Sequence, residues 1–440
     1  MKLFIYSPKN SPRLEYITKL IFDDLIGVNC EIITQAEEVY TKEFVVNYSV
    51  QESVGLQIIP SKILFEKRIS NQELQIGKEA DFTTLFSNKT SDFSFDILGA
   101  AFFLVTRYEE YMPHKRDKHD RFEPEQSVAY KEGFLNQPII NIWAAYLKQK
   151  LQEKYPKLEF QSRSFSYINT IDVDYAYAYL EKGAIRSAGA LVRDFFTGNF
   201  SEFKNRLACF LGAKSDPFDT FNYLLELHKK FNLNSIFFFH VGDYDVHDKS
   251  IPITSHKLQA LIKGVKDYAD VGIHPSYAAN GNSEKLEAEL IRLSRVVHQP
   301  ITKSRNHFIK LNLPQSYRDL IELDVKKDYT MGYASKMGFR ASICSPFYFY
   351  DLDYDAPTNL KVFPFYLMEA TIKYYFKEGP EKAMKYFEEY IDMVKKYNGT
   401  FVSLWHNDSL SEWGQWKGWS SIYVKMLEYL KENSTSVENE

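Results

Sequence analysis

From about residue 160 to the C-terminus the chain alternates short β-branched or aromatic runs with stretches of helical period, and this rhythm constrains its fold more than any other feature. Strand candidates are Ser166–Asp172, Ser235–His240, Val271–His274, Ser304–Phe308, Gly338–Ser342, Leu360–Pro364 and Thr400–His406. Between and after them the period turns helical, at Phe218–Phe231, Ser255–Ala269, Ser283–Val297, Pro314–Leu323, Met368–Phe376, Pro380–Tyr397 and Trp419–Glu432. About seven βα units predict a parallel sheet closed into a distorted (β/α)7 barrel, of the α/β class. The first of these strands has no glycine-rich turn after it, which excludes a dinucleotide or phosphate-loop fold.

Residues 1–155 read as a smaller α/β domain that precedes the barrel domain of 160–432, with 433–440 expected as a disordered tail. Its strand candidates are Lys2–Tyr6, Asn29–Ile33 and Phe44–Tyr48, and its helices Pro12–Ile26, Asp96–Tyr111 and Pro138–Lys150. It carries no catalytic motif. Arg107, Glu109 and Glu110 are expected at a solvated helix end, and His114–Phe122 in an exposed loop. An insertion at about Leu180–Pro217 has the mixed content of a lid or an oligomer contact.

Composition narrows the function classes. With 45% hydrophobic residues in 440, a large core is available, and a net charge of −4 gives no nucleic-acid footprint. Three cysteines, Cys30, Cys209 and Cys344, form neither a metal pair nor a disulfide framework. No apolar run is long enough to span a membrane, and the N-terminal residues lack the pattern of a signal peptide. The expectation is a soluble, cytoplasmic protein.

The chemistry-bearing residues fall at strand ends. Asp172 and Asp174 close the first barrel strand, two residues apart and so directed the same way. His274 follows the strand Val271–Ile273 as a candidate metal ligand. Arg305 can hold a carboxylate, and His307, two residues on, can reach the same cavity. His406 ends the last strand, and barrel closure makes that strand a neighbour of the first, so His406 and Asp172 would lie close. His240, at the end of the second strand, reads as a supporting or core residue.

Taken in order, these segments resemble the five motifs of the polysaccharide deacetylase family (the NodB-homology domain, carbohydrate esterase family 4). Thr170-Ile171-Asp172-Val173-Asp174 is similar to its Thr-Phe-Asp-Asp motif, and His274-Pro275-Ser276 to the start of its His-Ser/Thr-x-x-His motif. Arg305-Asn306-His307-Phe308 resembles its Arg-x-Pro motif. Gly332-Tyr333 through Gly338-Phe339-Arg340 resembles its fourth motif region, and Leu404-Trp405-His406-Asn407 its closing one. The resemblance covers about 160–431 and implies a hydrolase that removes N-acetyl groups from a sugar or glycan precursor with a divalent metal, usually zinc.

Carried over, it implies Asp172 as base, Arg305 as its orienter, Asp174 and His274 as metal ligands, His406 as acid and Asp328 as the group tuning that acid. Two departures accompany it. Val173 separates the aspartates, and Ala278 stands where the family has its second metal histidine, so His307 is the candidate third ligand. The alternatives are a glycan-binding protein with a degenerate metal site, and a hydrolase of a non-sugar C–N amide bond.

Overall fold

The computed structural model describes residues 1–51, 54–88 and 92–435. Its N-terminal part holds a parallel sheet, β1 (Leu3–Tyr6), β2 (Cys30–Ile33), β3 (Val45–Asn47) and β4 (Leu56–Gln57), in the order β2-β1-β3-β4. A hairpin of β5 (Gly77–Glu79) and β6 (Phe82–Thr84) follows. Helices pack on both, among them α1 (Pro12–Thr18), where Ser11 caps the first turn by accepting from the Leu14 N–H and Pro12 supplies a preset φ.

The larger part is a curled sheet of eight strands: β7 (Ser166–Val173), β8 (Ser235–Phe239), β9 (Asp270–Ile273), β10 (Lys303–Ser304), β11 (Lys327–Asp328), β12 (Phe347–Asp351), β13 (Ala356–Val362) and β14 (Thr400–His406). Their order is β12-β13-β11-β10-β9-β8-β7-β14, with every pairing parallel except β12 with β13. Seven parallel strands thus curl into a distorted barrel, and a single bridge, Met368 to Leu404, joins the segment after β13 to β14. β11 and β12 have no counterpart among the strand candidates, being respectively too short and too continuously aromatic to show alternation.

Two expected strands differ. Gly338–Ser342 is a turn, because the Phe339 N–H donates to Leu135 O and the Gly338 N–H to Tyr366 O, leaving no ladder partner. Ser304–Phe308 shortens to Lys303–Ser304 because the chain turns through positive φ at Phe308 (59°) and Ile309 (53°).

Alternation explains the barrel's two faces. Ile236 and Phe238 of β8 and Val402 and Leu404 of β14 fill the interior with Tyr329, Phe363 and Phe365. Ile171, Val173, Phe237, Ile273, Phe401 and Trp405 face outward into the core under the helices. That outer core is continuous with the N-terminal part, running from Leu3 to Leu430 as one apolar cluster.

The seam between the two parts also carries buried charge. Glu110 accepts from Arg107 Nε (2.7 Å), and Arg340 grips both its oxygens, through Nε (2.9 Å) and Nη2 (2.6 Å). Arg107 and Arg340 are 1% exposed and Glu110 3%. The expected solvated helix end is therefore a buried ion cluster, made so by Arg340, a partner 230 residues away. Burial would raise the Glu110 carboxyl, but Arg340 and Arg107 hold it down at about 2. Helix α2 (Trp419–Thr435) closes the described chain, and residues 436–440 of the expected tail lie outside the described residues. No helix among the described residues is long and apolar enough to cross a membrane.

Candidate active site

The inner face of β7 delivers both aspartates. Ile168 packs inside the barrel while Ile171 and Val173 point out, so Thr170, Asp172 and then Asp174 fall on the inner side. Val173 occupies the outward step between the two carboxylates. The same alternation turns His240 inward beyond β8 and His274 inward beyond β9, and β14 pairs His406 directly with Asp172.

These ends open on a cavity of about 280 Å³, lined by Asp172, Asp174, His274, His307, His406 and Asp408. Tyr175, Phe308, Tyr374, Tyr375 and Trp416 form its aromatic walls, and Arg121 reaches it from the N-terminal part. Arg121 and Phe122 are buried, so the segment expected as an exposed loop instead delivers its last residues to the site. Arg121 donates to Phe308 O (2.8 Å) and is held by Asp117 (2.8 Å).

Asp172 is fixed on one side only. Arg305 Nη1 donates to its Oδ1 (2.9 Å) and to Thr170 Oγ1 (2.7 Å), while Arg305 Nε donates to Tyr329 O (3.0 Å). Arg305 is wholly buried beneath the site, 4.8 Å from the Phe238 ring centre. Asp172 Oδ2 is buried without a hydrogen-bond partner among the described residues. An orphan carboxylate oxygen on a cavity wall is suited to take a proton from a bound molecule.

Asp174, His274 and His307 each direct one donor atom at a common point, all within 4.8 Å of one another. Asp174 Oδ1 lies 3.1 Å from His274 Nε2, and its Oδ2 lies 3.4 Å from His307 Nε2. His274 Nδ1 meets the Arg305 carbonyl at 2.6 Å, and His307 Nδ1 meets Asp248 Oδ1 at 3.0 Å. Both partners only accept, so each Nδ1 carries a proton, and each Nε2 faces the Asp174 carboxylate, free to offer a lone pair to a cation. Lone pairs converging on a carboxylate repel unless a positive charge stands among them. Two histidines oriented by acceptors at Nδ1, with one carboxylate, make a donor set that fits a divalent cation.

Without that cation the site draws its positive charge from protons. Burial would lower His307, but Asp174 and Asp248 raise it to about 9. Burial would raise Asp174, but His307 and His274 hold it well below the usual carboxylate range.

Ala278 meets the site through its backbone. Its N–H donates to Asp248 Oδ2 (3.2 Å), and the Tyr277 N–H donates to Oδ1 (2.9 Å). The turn at Tyr277 and Ala278 thus clamps the carboxylate that meets His307. The left-handed backbone at Phe308 and Ile309, sterically costly for non-glycine residues, lies immediately beside His307. His240 lies behind, with Nδ1 3.2 Å from the His274 carbonyl and Nε2 3.6 Å from Asp248 Oδ1. Burial and the neighbouring His307 and His274 push it down to about 4, in keeping with a neutral supporting ring.

His406 meets a group absent from the sequence reading. Glu369, wholly buried, accepts from the His406 N–H (2.9 Å) and faces its Nδ1 at 2.7 Å. Burial would lower His406, but Glu369, then Asp174 and Asp172, raise it well above the ordinary histidine value. Asp328 does not take the part expected of it. It accepts from Tyr317 OH (2.9 Å) and from the Thr330 N–H (2.8 Å) and Oγ1 (2.6 Å), and burial pushes it up to about 6. Asp408, beside His406, is also raised to about 6 by burial.

Comparison with known proteins gives three findings. A family model described as a family of unknown function, DUF7033, matches residues 3–156. No curated protein matches. Among solved structures, the chain is similar to a candidate polysaccharide deacetylase from Mycobacterium smegmatis at 15% identity and a TM-score of 0.39, covering 62% of this chain and 84% of that one. PuuE allantoinase aligns at 11% identity and a TM-score of 0.38, over 61% of this chain and 85% of its own. A CE4 family pseudoenzyme, BA3943 from Bacillus anthracis, aligns at 14% identity and a TM-score of 0.26, over 62% and 66%.

Proposed function

We propose that the chain is a metal-dependent hydrolase that removes N-acetyl groups from an acetylated sugar or glycan precursor. The observation that carries this reading is the convergence of Asp174, His274 and His307 beside a carboxylate with a free oxygen and a histidine backed by a glutamate. Asp174, His274 and His307 would hold a divalent cation, with zinc the leading choice for this donor set, and the cation would polarise the amide carbonyl and acidify water.

The chain's own groups do the rest. Asp172, with Oδ1 tied to Arg305 and Oδ2 free, takes a proton from the attacking water. His406 is kept protonated by Glu369 and presents Nε2 to give a proton to the departing amine. Arg305, wholly buried, holds Asp172 in place from the barrel interior. Tyr175, Phe308, Tyr375 and Trp416 offer ring faces on which a sugar can stack, and Arg121 braces that wall through Tyr375 OH (3.3 Å). The N-terminal part thereby shapes access to the cavity.

A second reading, a glycan-binding protein without turnover, draws on Ala278, which removes one family metal ligand. Elemental analysis separates the two. The hydrolase reading requires stoichiometric metal in the wild type, lost in Asp174→Ala and His274→Ala, together with acetate release from an N-acetylated sugar. No metal after zinc loading sinks the metal-dependent mechanism.

A further inference from the structure

The insertion after β7 folds into a helical hairpin, α3 (Ala184–Phe196) and α4 (Phe200–Phe210). Its outer face is apolar and bare. Ile185 is 89% exposed, Phe196 81% and Leu211 74%, with Val192, Phe195 and Phe200 also exposed. Ile185, Val192 and Phe196 recur at helical spacing, so they form one stripe along α3. At the tip, Phe195 packs edge-on against Phe196, Phe200 and Phe203, with centroids 5.7, 5.8 and 6.0 Å apart. An apolar face of this kind marks a contact surface rather than ordinary surface scatter.

Charge identifies the occupant. The insertion, residues 180–217, carries six Lys or Arg and four acidic residues, in a chain whose net charge is −4. All four acids are engaged: Asp194 with Arg193 and Arg206, Glu202 with Tyr179 and Arg206, Asp216 with the Ala178, Tyr179 and Leu180 N–H groups, and Glu181 with Ser255. At the base of the hairpin a cavity of about 420 Å³ is lined by five cations, Lys182, Arg186, Arg193, Arg206 and Lys249, and one acid, Glu202. Aromatic and aliphatic side chains flanked by cations are the pattern of a helix lying in a lipid interface, and the cationic cavity suits a phosphate headgroup. A second copy docking symmetrically would set two positive faces against each other.

We propose that this hairpin seats the protein on an anionic lipid surface. The contact is peripheral, with the stripe entering the headgroup boundary and the cations meeting phosphates.

Co-sedimentation tests this with the full chain and two vesicle types, phosphatidylcholine alone and phosphatidylcholine with about one-third phosphatidylglycerol. Binding is expected to the anionic vesicles, to weaken with added salt, and to be near background on the neutral ones. Phe195→Ser/Phe196→Ser should lose at least about tenfold in partitioning. Lys204→Gln/Lys214→Gln should lose about fivefold per cation on the anionic vesicles. All four side chains sit outside the core, and unchanged circular dichroism and melting would confirm intact folds. Absence of anionic-vesicle binding, equal binding to both vesicle types, or wild-type binding by the aromatic variant overturns the proposal. So does light scattering that shows a dimer abolished by Phe196→Ser, since the face would then be a self-contact.

Discussion

Asp248 should control metal affinity without touching the metal. It is 1% exposed and sits 3.0 Å from His307 Nδ1, the nitrogen turned away from the donor cluster. Its charge makes the ring a stronger donor, and its position fixes the ring's rotation. Losing such a carboxylate usually costs 10–100-fold in affinity, about 1.4–2.7 kcal/mol. The structure orders two substitutions within that range. Asp248→Asn keeps a neutral acceptor for His307 Nδ1 and the Tyr277 N–H, which meet the same oxygen, and should lose about tenfold. Asp248→Ala also releases the Ala278 N–H and frees the ring, and should approach about a hundredfold. Zinc titration of metal-stripped protein against a chromogenic chelator measures both, with melting of the stripped proteins as the folding control. Affinity within twofold of wild type in Asp248→Ala, or a larger loss in Asn than in Ala, would refute the assignment of His307 as a ligand oriented by Asp248.

Asp172→Asn should abolish acetate release while leaving metal content unchanged, because Asp172 is placed as base and Asp174 as ligand; retained turnover would remove Asp172 from the mechanism. Glu369→Gln should move the alkaline limb of the pH–rate profile to lower pH, since Glu369 is what raises His406 above its ordinary value; an unmoved limb would place the acid elsewhere. Glu110→Gln should destabilise by about 3–5 kcal/mol, read as a lower urea midpoint, because it removes the carboxylate paired with buried Arg340 and leaves Arg107 with Glu109 alone. In the wild type the same carboxyl titrates at about 2 rather than 4.5. Its contribution is therefore present above the unfolded value and lost as pH falls from about 4.5 toward 2, and urea midpoints at about pH 5 and pH 3 should differ more in wild type than in Glu110→Gln.

The strand ends were the legible part of the site. Periodicity placed β7, β9 and β14, and strand-end position together with barrel closure then pointed Asp172, Asp174, His274 and His406 at one cavity. Asp248 and Glu369 were not legible, because both lie outside the regular runs: Asp248 is in a loop after β8, and Glu369 follows an irregular stretch that meets β14 by one bridge. Position relative to a strand says nothing about such residues. Arg107, Glu109 and Glu110 show the complementary failure. A charged helix end looks solvated until the chain brings Arg340 onto it, and local pattern cannot see so distant a partner. Asp328 is bonded to Tyr317 and Thr330, and which side chains meet across the fold is not carried by the motif in which it was placed.

The register of β14 against β7 also sets the order in which the molecule can come into being. All seven residue pairs, from Thr400 with Ser166 to His406 with Asp172, join the first strand of the barrel to its last. During synthesis the aspartates are made early and can pair on one side with β8, but the other edge of β7 has no partner until some 230 residues later. For that interval a bare parallel edge is a template for any passing strand. The acid and the base of the proposed reaction meet only at that final pairing, so the reaction would have to await the seating of β14.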